Sequence, residues 1–70
     1  MLLEMIINEC EKSGDSPRTA ILTYLYMRFI QSFGSAPGFD ELQNEFDEWN
    51  EKYSDYDDYT SLRSLSNILD

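Results

Sequence analysis

The sequence predicts an all-α fold, a small bundle of three to four short helices. Apolar residues recur at helical spacing in four separate segments. Glycine, proline and short polar residues separate these segments, and no stretch shows the polar–apolar alternation of a β-strand. The chain has 70 residues, which predicts a single domain over 1–70. A domain of this size buries only about 60% of the surface that its unfolded chain exposes, so we expect marginal stability.

The first segment predicts a helix over roughly 2–12, because its apolar residues recur at positions i, i+3 and i+4. Cys10 is the only cysteine, so no disulfide can form within the chain. Its position beside Ile6 and Ile7 favours a small buried side chain over a reactive thiol. A chain without a disulfide framework fits a reducing cytoplasm, and we expect a cytoplasmic protein.

The second segment predicts a helix over roughly 17–33. Ser16 is a suitable N-cap, and Pro17 suits the first helical position, where a missing N–H costs nothing. Gly34 is suited to end the helix. The apolar stripe is wide enough to make this helix either central in the fold or part of a partner surface. The stripe contains Ile21, Leu22, Leu25, Tyr26, Phe29, Ile30 and Phe33, with Tyr24 and Met27 beside it.

The third segment predicts a helix that starts near Asp40, with Asp40 as its cap and Gln43 as the capping-box partner. Its apolar side chains fall within about 60° of one another, which makes one face core and leaves the other to carboxylates. The apolar residues are Leu42, Phe46, Trp49 and Tyr53. After a polar break at 54–59, apolar spacing predicts a last helix over roughly 59–69, which Asp57 or Asp58 could cap.

The composition excludes most catalytic and metal chemistry. The chain has no histidine, one cysteine and no glycine-rich phosphate loop, which removes the usual general base, zinc sites and nucleotide loops. Asp55, Asp57 and Asp58 do not form an EF-hand, because Tyr59 and Thr60 occupy its fifth and sixth positions. We therefore predict no enzyme activity, no cofactor and no metal. No stretch is apolar enough to span a membrane, and nothing resembles a signal peptide.

Helices two to four resemble a helix-turn-helix or the helical part of a winged helix, through the stretch "FGSAPGFDEL" that follows an apolar helix. The resemblance covers about 45 residues. It departs at the surface that would face DNA, which carries acids, with Arg63 as the only base near the candidate recognition helix. Because DNA binding needs Lys and Arg to displace counterions, direct nucleic-acid binding is disfavoured.

The most informative feature is the acidic segment, residues 40–58, which holds nine of the fourteen acidic residues and a single base, Lys52. A merely solubilising helix usually mixes Glu and Lys, whereas here like charges lie three and four positions apart. Each such pair costs a few tenths of a kcal/mol. Along the helix axis the acids occur about once per 3.5 Å, close to the roughly 3.4 Å between phosphates of one DNA strand.

The leading hypothesis is a small acidic inhibitor that mimics nucleic acid and occupies the basic groove of a nucleic-acid-binding protein or complex. In charge and size the chain is similar to small phage and mobile-element proteins that block restriction or CRISPR complexes. An acidic chain would be repelled by nucleic acid and by anionic membranes. The predicted partner-binding residues are Glu41, Glu45, Asp47, Glu48, Glu51, Asp55, Tyr56, Asp57, Asp58 and Tyr59. Tyr56 and Tyr59 could equally pack the last helix onto the bundle.

The alternative hypothesis is a helical interaction or dimerisation module, such as an antitoxin-like partner, a complex subunit or a homodimer. Its surface would be the apolar stripe of helices one and two, with Met5, Tyr24 and Met27. A third reading is a degenerate helix-turn-helix regulator.

Overall fold

The computed structural model describes residues 2–69 and confirms an all-α bundle of short helices. Met1 and Asp70, the ends of the predicted domain 1–70, lie outside the described residues. The molecule measures 29 × 23 × 22 Å. No helix within 2–69 combines the length and the apolar character needed to cross a bilayer. The four helices are α1 (Leu2–Lys12), α2 (Pro17–Phe33), α3 (Phe39–Tyr53) and α4 (Tyr59–Leu69).

Both predicted ends of α2 are confirmed. Ser16 is the N-cap, and its Oγ accepts a hydrogen bond from the Thr19 N–H at 3.4 Å. Gly34 ends the helix at φ 76°, a left-handed conformation that glycine adopts without the steric cost of a Cβ. Its N–H donates to the Ile30 carbonyl at 2.8 Å. Helix α2 is therefore bounded by local signals on each side.

The predicted capping of α3 by Asp40 and Gln43 is wrong. The helix starts earlier, at Phe39, and Gly38 is its N-cap. Glu41 lies in the first turn and reaches back, so that its Oε1 accepts the Gly38 N–H at 3.0 Å. This shift leaves Asp40 one residue inside the helix, where its carboxylate is exposed instead of capping.

The core lies between all four helices. Helix α1 packs against α2 and α4, and α3 packs against α2. Trp49 is the buried residue of α3, and the neighbouring rings of Phe46 and Tyr53 are half-buried against the core. The buried apolar residues are Leu3, Ile6, Ile7, Cys10, Ala20, Ile21, Tyr24, Leu25, Trp49, Leu62 and Leu65.

The apolar stripe predicted for α2 does not form a single buried surface. Ile21 and Leu25 are buried with Tyr24, whereas Tyr26 and Phe33 are exposed. The prediction that Tyr24 forms part of a partner surface is therefore wrong, because the shorter neighbouring helices enclose its side of α2.

Polar contacts fasten α4 to the end of α1. The Tyr59 hydroxyl donates to the Asp15 carbonyl. Arg63 donates to Glu11 Oε1 at 2.6 Å and to Asn8 Oδ1 at 3.1 Å. The hydrogen bond from Arg63 lowers the pKa of the Glu11 carboxyl. Arg63 is therefore engaged within the fold.

Candidate functional site

Three acids of α3 are aligned along the side of the helix that faces away from the core. At about 100° per residue, Asp40, Asp47 and Glu51 lie within about 40° of one another and far from Trp49. All three are exposed. They span about 16 Å of the helix axis. We call Asp40, Asp47 and Glu51 the acidic ridge.

The acidic ridge has no basic partner among residues 2–69. The ion pair within this range joins Arg63 to Glu11, between α4 and α1. Within the ridge, Asp47 Oδ1 accepts a hydrogen bond from the neutral amide of Gln43 at 3.0 Å, which orients the carboxylate without cancelling its charge. The ridge is thus an uncompensated row of negative charge on a regular helix.

The remaining acids of α3 have different surroundings. Glu45 and Glu48 line an open cleft between α2 and α3, together with Arg28 and Lys52. The guanidinium of Arg28 lies over the Tyr24 ring, 5.4 Å from its centroid. Two bases close to two acids reduce the negative potential on this side of α3. The acidic face predicted from the sequence is therefore divided into the bare ridge and a mixed-charge cleft.

Two of the predicted site residues support the backbone at helix starts. Glu41 accepts the Gly38 N–H at the start of α3. Asp58 Oδ1 accepts the Ser61 N–H at 2.7 Å, in the first turn of α4. The hydrogen bonds from Ser61 lower the pKa of the Asp58 carboxyl. In contrast, the exposed carboxylates of Asp55 and Asp57 make no hydrogen bond to any residue in 2–69.

Tyr56 and Tyr59 are half-buried against the core. Tyr56 meets Tyr53 edge to face, with the ring centroids 6.1 Å apart. The Tyr59 hydroxyl donates a hydrogen bond to the Asp15 carbonyl. These contacts show the packing use of both rings, and their use as partner contacts stays a prediction.

Asp40 belongs to the site although the sequence prediction left it out. It was assigned to capping, and that assignment hid its place on the ridge. Its spacing of seven and eleven residues from Asp47 and Glu51 is a helical one, which could have revealed it.

The carboxylate cap of α4 predicts an acid-sensitive part of the stability. The Asp58 pKa is lowered from its ordinary value of 3.8, so the bond stabilises the fold above that value. The contribution is lost as the pH falls through the folded-state pKa. Melting temperatures measured from neutral to acid pH should show that the wild-type chain loses its advantage over Asp58→Asn on acidification.

Asp57→Asn is the matched control for this experiment. It removes the same charge one residue earlier, where the carboxylate holds no backbone N–H. We expect its pH profile to run parallel to that of the wild-type chain. Asparagine keeps an oxygen that can accept the Ser61 N–H, so a parallel profile for Asp58→Asn would show that the charge of the Asp58 carboxylate adds nothing to the cap.

None of the acidic residues in 2–69 gathers into a group of three or more that could hold a metal ion. No protein-family model matches the chain, and searches of the curated proteins and of the solved structures likewise found no match.

Proposed function

We propose that this chain is a small acidic protein-binding inhibitor that occupies the basic groove of a nucleic-acid-binding protein or complex, in the manner of a nucleic-acid mimic. One observation supports the proposal above all. Asp40, Asp47 and Glu51 project from one side of α3, and no base within residues 2–69 pairs with them.

The charge repulsion within the free chain suggests that the acidic ridge does more than keep the protein in solution. Like charges at helical spacing repel each other, and this domain has little stability to lose. In a groove lined with Lys and Arg, the attraction of the ridge acids to those bases would outweigh the repulsion among the acids. The uncompensated ridge is thus better suited to a bound state than to the isolated protein.

The anchoring of α3 adds to this suitability. Trp49 is 4% exposed and packs against the Tyr24 ring at 5.8 Å and the Tyr53 ring at 4.7 Å. Carboxylates on an ordered helix lose less freedom on binding than carboxylates on a loose chain. Asp55 and Asp57 add exposed charge just beyond the C-terminal end of the helix.

The test compares two triple variants of equal net charge. The ridge variant, Asp40→Asn/Asp47→Asn/Glu51→Gln, neutralises the acidic ridge. The control variant, Glu4→Gln/Glu9→Gln/Asp15→Asn, neutralises three acids elsewhere. Each variant removes three negative charges from the wild-type net charge of −9. The immobilised chains would capture proteins from a nuclease-treated lysate, with a salt gradient for elution and mass spectrometry for identification. Each captured protein would then be assayed for displacement by duplex DNA or RNA.

We expect the wild-type chain to retain nucleic-acid-binding proteins that duplex DNA or RNA displaces. The ridge variant should bind them at least about tenfold more weakly, since several close charge pairs are lost, and the control variant should bind almost normally. Equal binding by the two variants would refute the role of the ridge. Captured proteins that no nucleic acid displaces would refute the mimicry.

A further inference from the structure

Helix α2 carries an apolar surface on the side that faces away from the core. At about 100° per residue, Tyr26, Ile30 and Phe33 lie within about 60° of one another and opposite the buried residues of α2. Their exposed fractions are 41%, 38% and 67%, and Met27 beside them is 39% exposed. We call Tyr26, Met27, Ile30 and Phe33 the outer face of α2. None of these residues contributes to the acidic ridge.

The exposed area of the outer face is large for so small a protein. With about 180–230 Å² for each side chain, the four residues expose roughly 400 Å² of mainly apolar surface. Patches of this size on small proteins often mark interaction sites. Homodimer interfaces are about 65% apolar, so such a patch corresponds to roughly 600 Å² per copy and 1,200 Å² in total. That total is the lower bound of specific interfaces.

Two copies of this chain can meet with the least charge repulsion through the acid-free stretch that contains α2. The net charge is −9, so two copies repel each other in most orientations. Residues 16–39 contain no acid, and their two bases lie over aromatic rings. Arg18 lies 4.9 Å from the centroid of the Phe46 ring, and Arg28 lies 5.4 Å from that of Tyr24. When two outer faces meet, apolar area is buried and no carboxylate of α2 faces another.

We propose that this chain forms a symmetric homodimer through the outer face of α2, with Ile30 near the two-fold axis. A two-fold interface uses the same patch on both copies. Ile30 lies between Tyr26 and Phe33 along the face, so each Ile30 would pack against those rings of the other copy. The proposal is independent of the nucleic-acid-mimic function, because the ridge acids take no part in the contact.

The test uses two matched variants, Ile30→Glu and Ile68→Glu. Each places a glutamate at an exposed isoleucine of a helix, but Ile68 lies on α4 and is 72% exposed. Sedimentation velocity over a range of protein concentrations would measure the mass in solution. Circular dichroism would check that each variant keeps its helices. Phe33→Ser, at a position that is 67% exposed, would decide the question if Ile30→Glu failed to fold.

We expect the wild-type chain and Ile68→Glu to dimerise as concentration rises, and Ile30→Glu to stay monomeric. Added salt should strengthen the dimer, because it screens the repulsion between two acidic copies. Salt should weaken the binding proposed for the ridge, so the two proposals can fail separately. A wild-type chain that stays monomeric at every concentration overturns the dimer, as do equal masses for the two variants. A monomer whose outer face binds a different protein overturns it too.

Discussion

Replacement of Leu62 by alanine is expected to lower the free energy of unfolding by about 2–5 kcal/mol. Leu62 is fully buried in the first half of α4, in the same core as Leu3 and Ile7 of α1. Alanine would remove apolar contacts and leave a cavity between these helices. A chain of 70 residues has a total stability of only about 4–10 kcal/mol, so this variant would lose much of it.

Urea unfolding followed by circular dichroism would measure this loss. Ile68→Ala is the matched control, because it truncates a side chain on the same helix that is 72% exposed. Its free energy of unfolding should stay within about 0.5 kcal/mol of wild type. Similar losses for Leu62→Ala and Ile68→Ala would mean that α4 does not pack on α1 as described.

Replacement of Trp49 by alanine is expected to cost about 3–5 kcal/mol and to loosen α3 more than the other helices. Trp49 is the buried residue of α3, so its removal takes away the main anchor of that helix. Relative to the wild-type chain, amide hydrogen exchange in this variant should accelerate more in α3 than in α1. The variant keeps every carboxylate of the acidic ridge, yet it should bind a ridge partner more weakly, because the ridge would no longer be held in order.

Trp49→Phe separates the ring packing from the indole N–H. Within the part of the chain that the structure describes, Nε1 of Trp49 is buried and makes no hydrogen bond. Phenylalanine loses apolar area but also removes a buried donor that carries a desolvation cost of about 1–3 kcal/mol. We therefore expect Trp49→Phe to be far milder than Trp49→Ala. Uniform exchange across all helices in Trp49→Ala would contradict a special role in anchoring α3.

The helices could be predicted because their signals are local. Ser16 and Pro17 start α2, and Gly34 ends it, through bonds that involve residues three or four positions away. The periodic positions of α3 also identified Trp49 as core. These features depend on residues close in sequence, and the tertiary fold leaves them unchanged.

The predictions were wrong where two nearby residues could each cap a helix, and where tertiary packing determined which side of a helix is buried. Asp40 and Gly38 could each start α3, and Gly38 did so because Glu41 reached back to its N–H. On α2, the sequence shows one wide apolar stripe, but short neighbours cover only the side of Tyr24 and leave Tyr26 exposed. No local signal reports how much of a wide stripe the neighbouring helices will cover.

The candidate site was predicted as a charged region but not as a surface. The sequence indicates which residues are acidic, and helical spacing turns most of them outward. It does not show that Arg28 lines the same cleft as Glu45 and Glu48, since Arg28 lies on α2 and the two glutamates lie on α3. It also does not show that Tyr59 bonds to the Asp15 carbonyl, 44 residues away.

The single thiol has a practical consequence. Cys10 is 8% exposed, and burial, with the nearby charges of Asp15 and Glu9, raises the pKa of its thiol. An alkylating reagent can therefore modify this chain rapidly only when α1 separates from its neighbours. The rate of that modification therefore measures how often the bundle opens, and the measurement needs no added label.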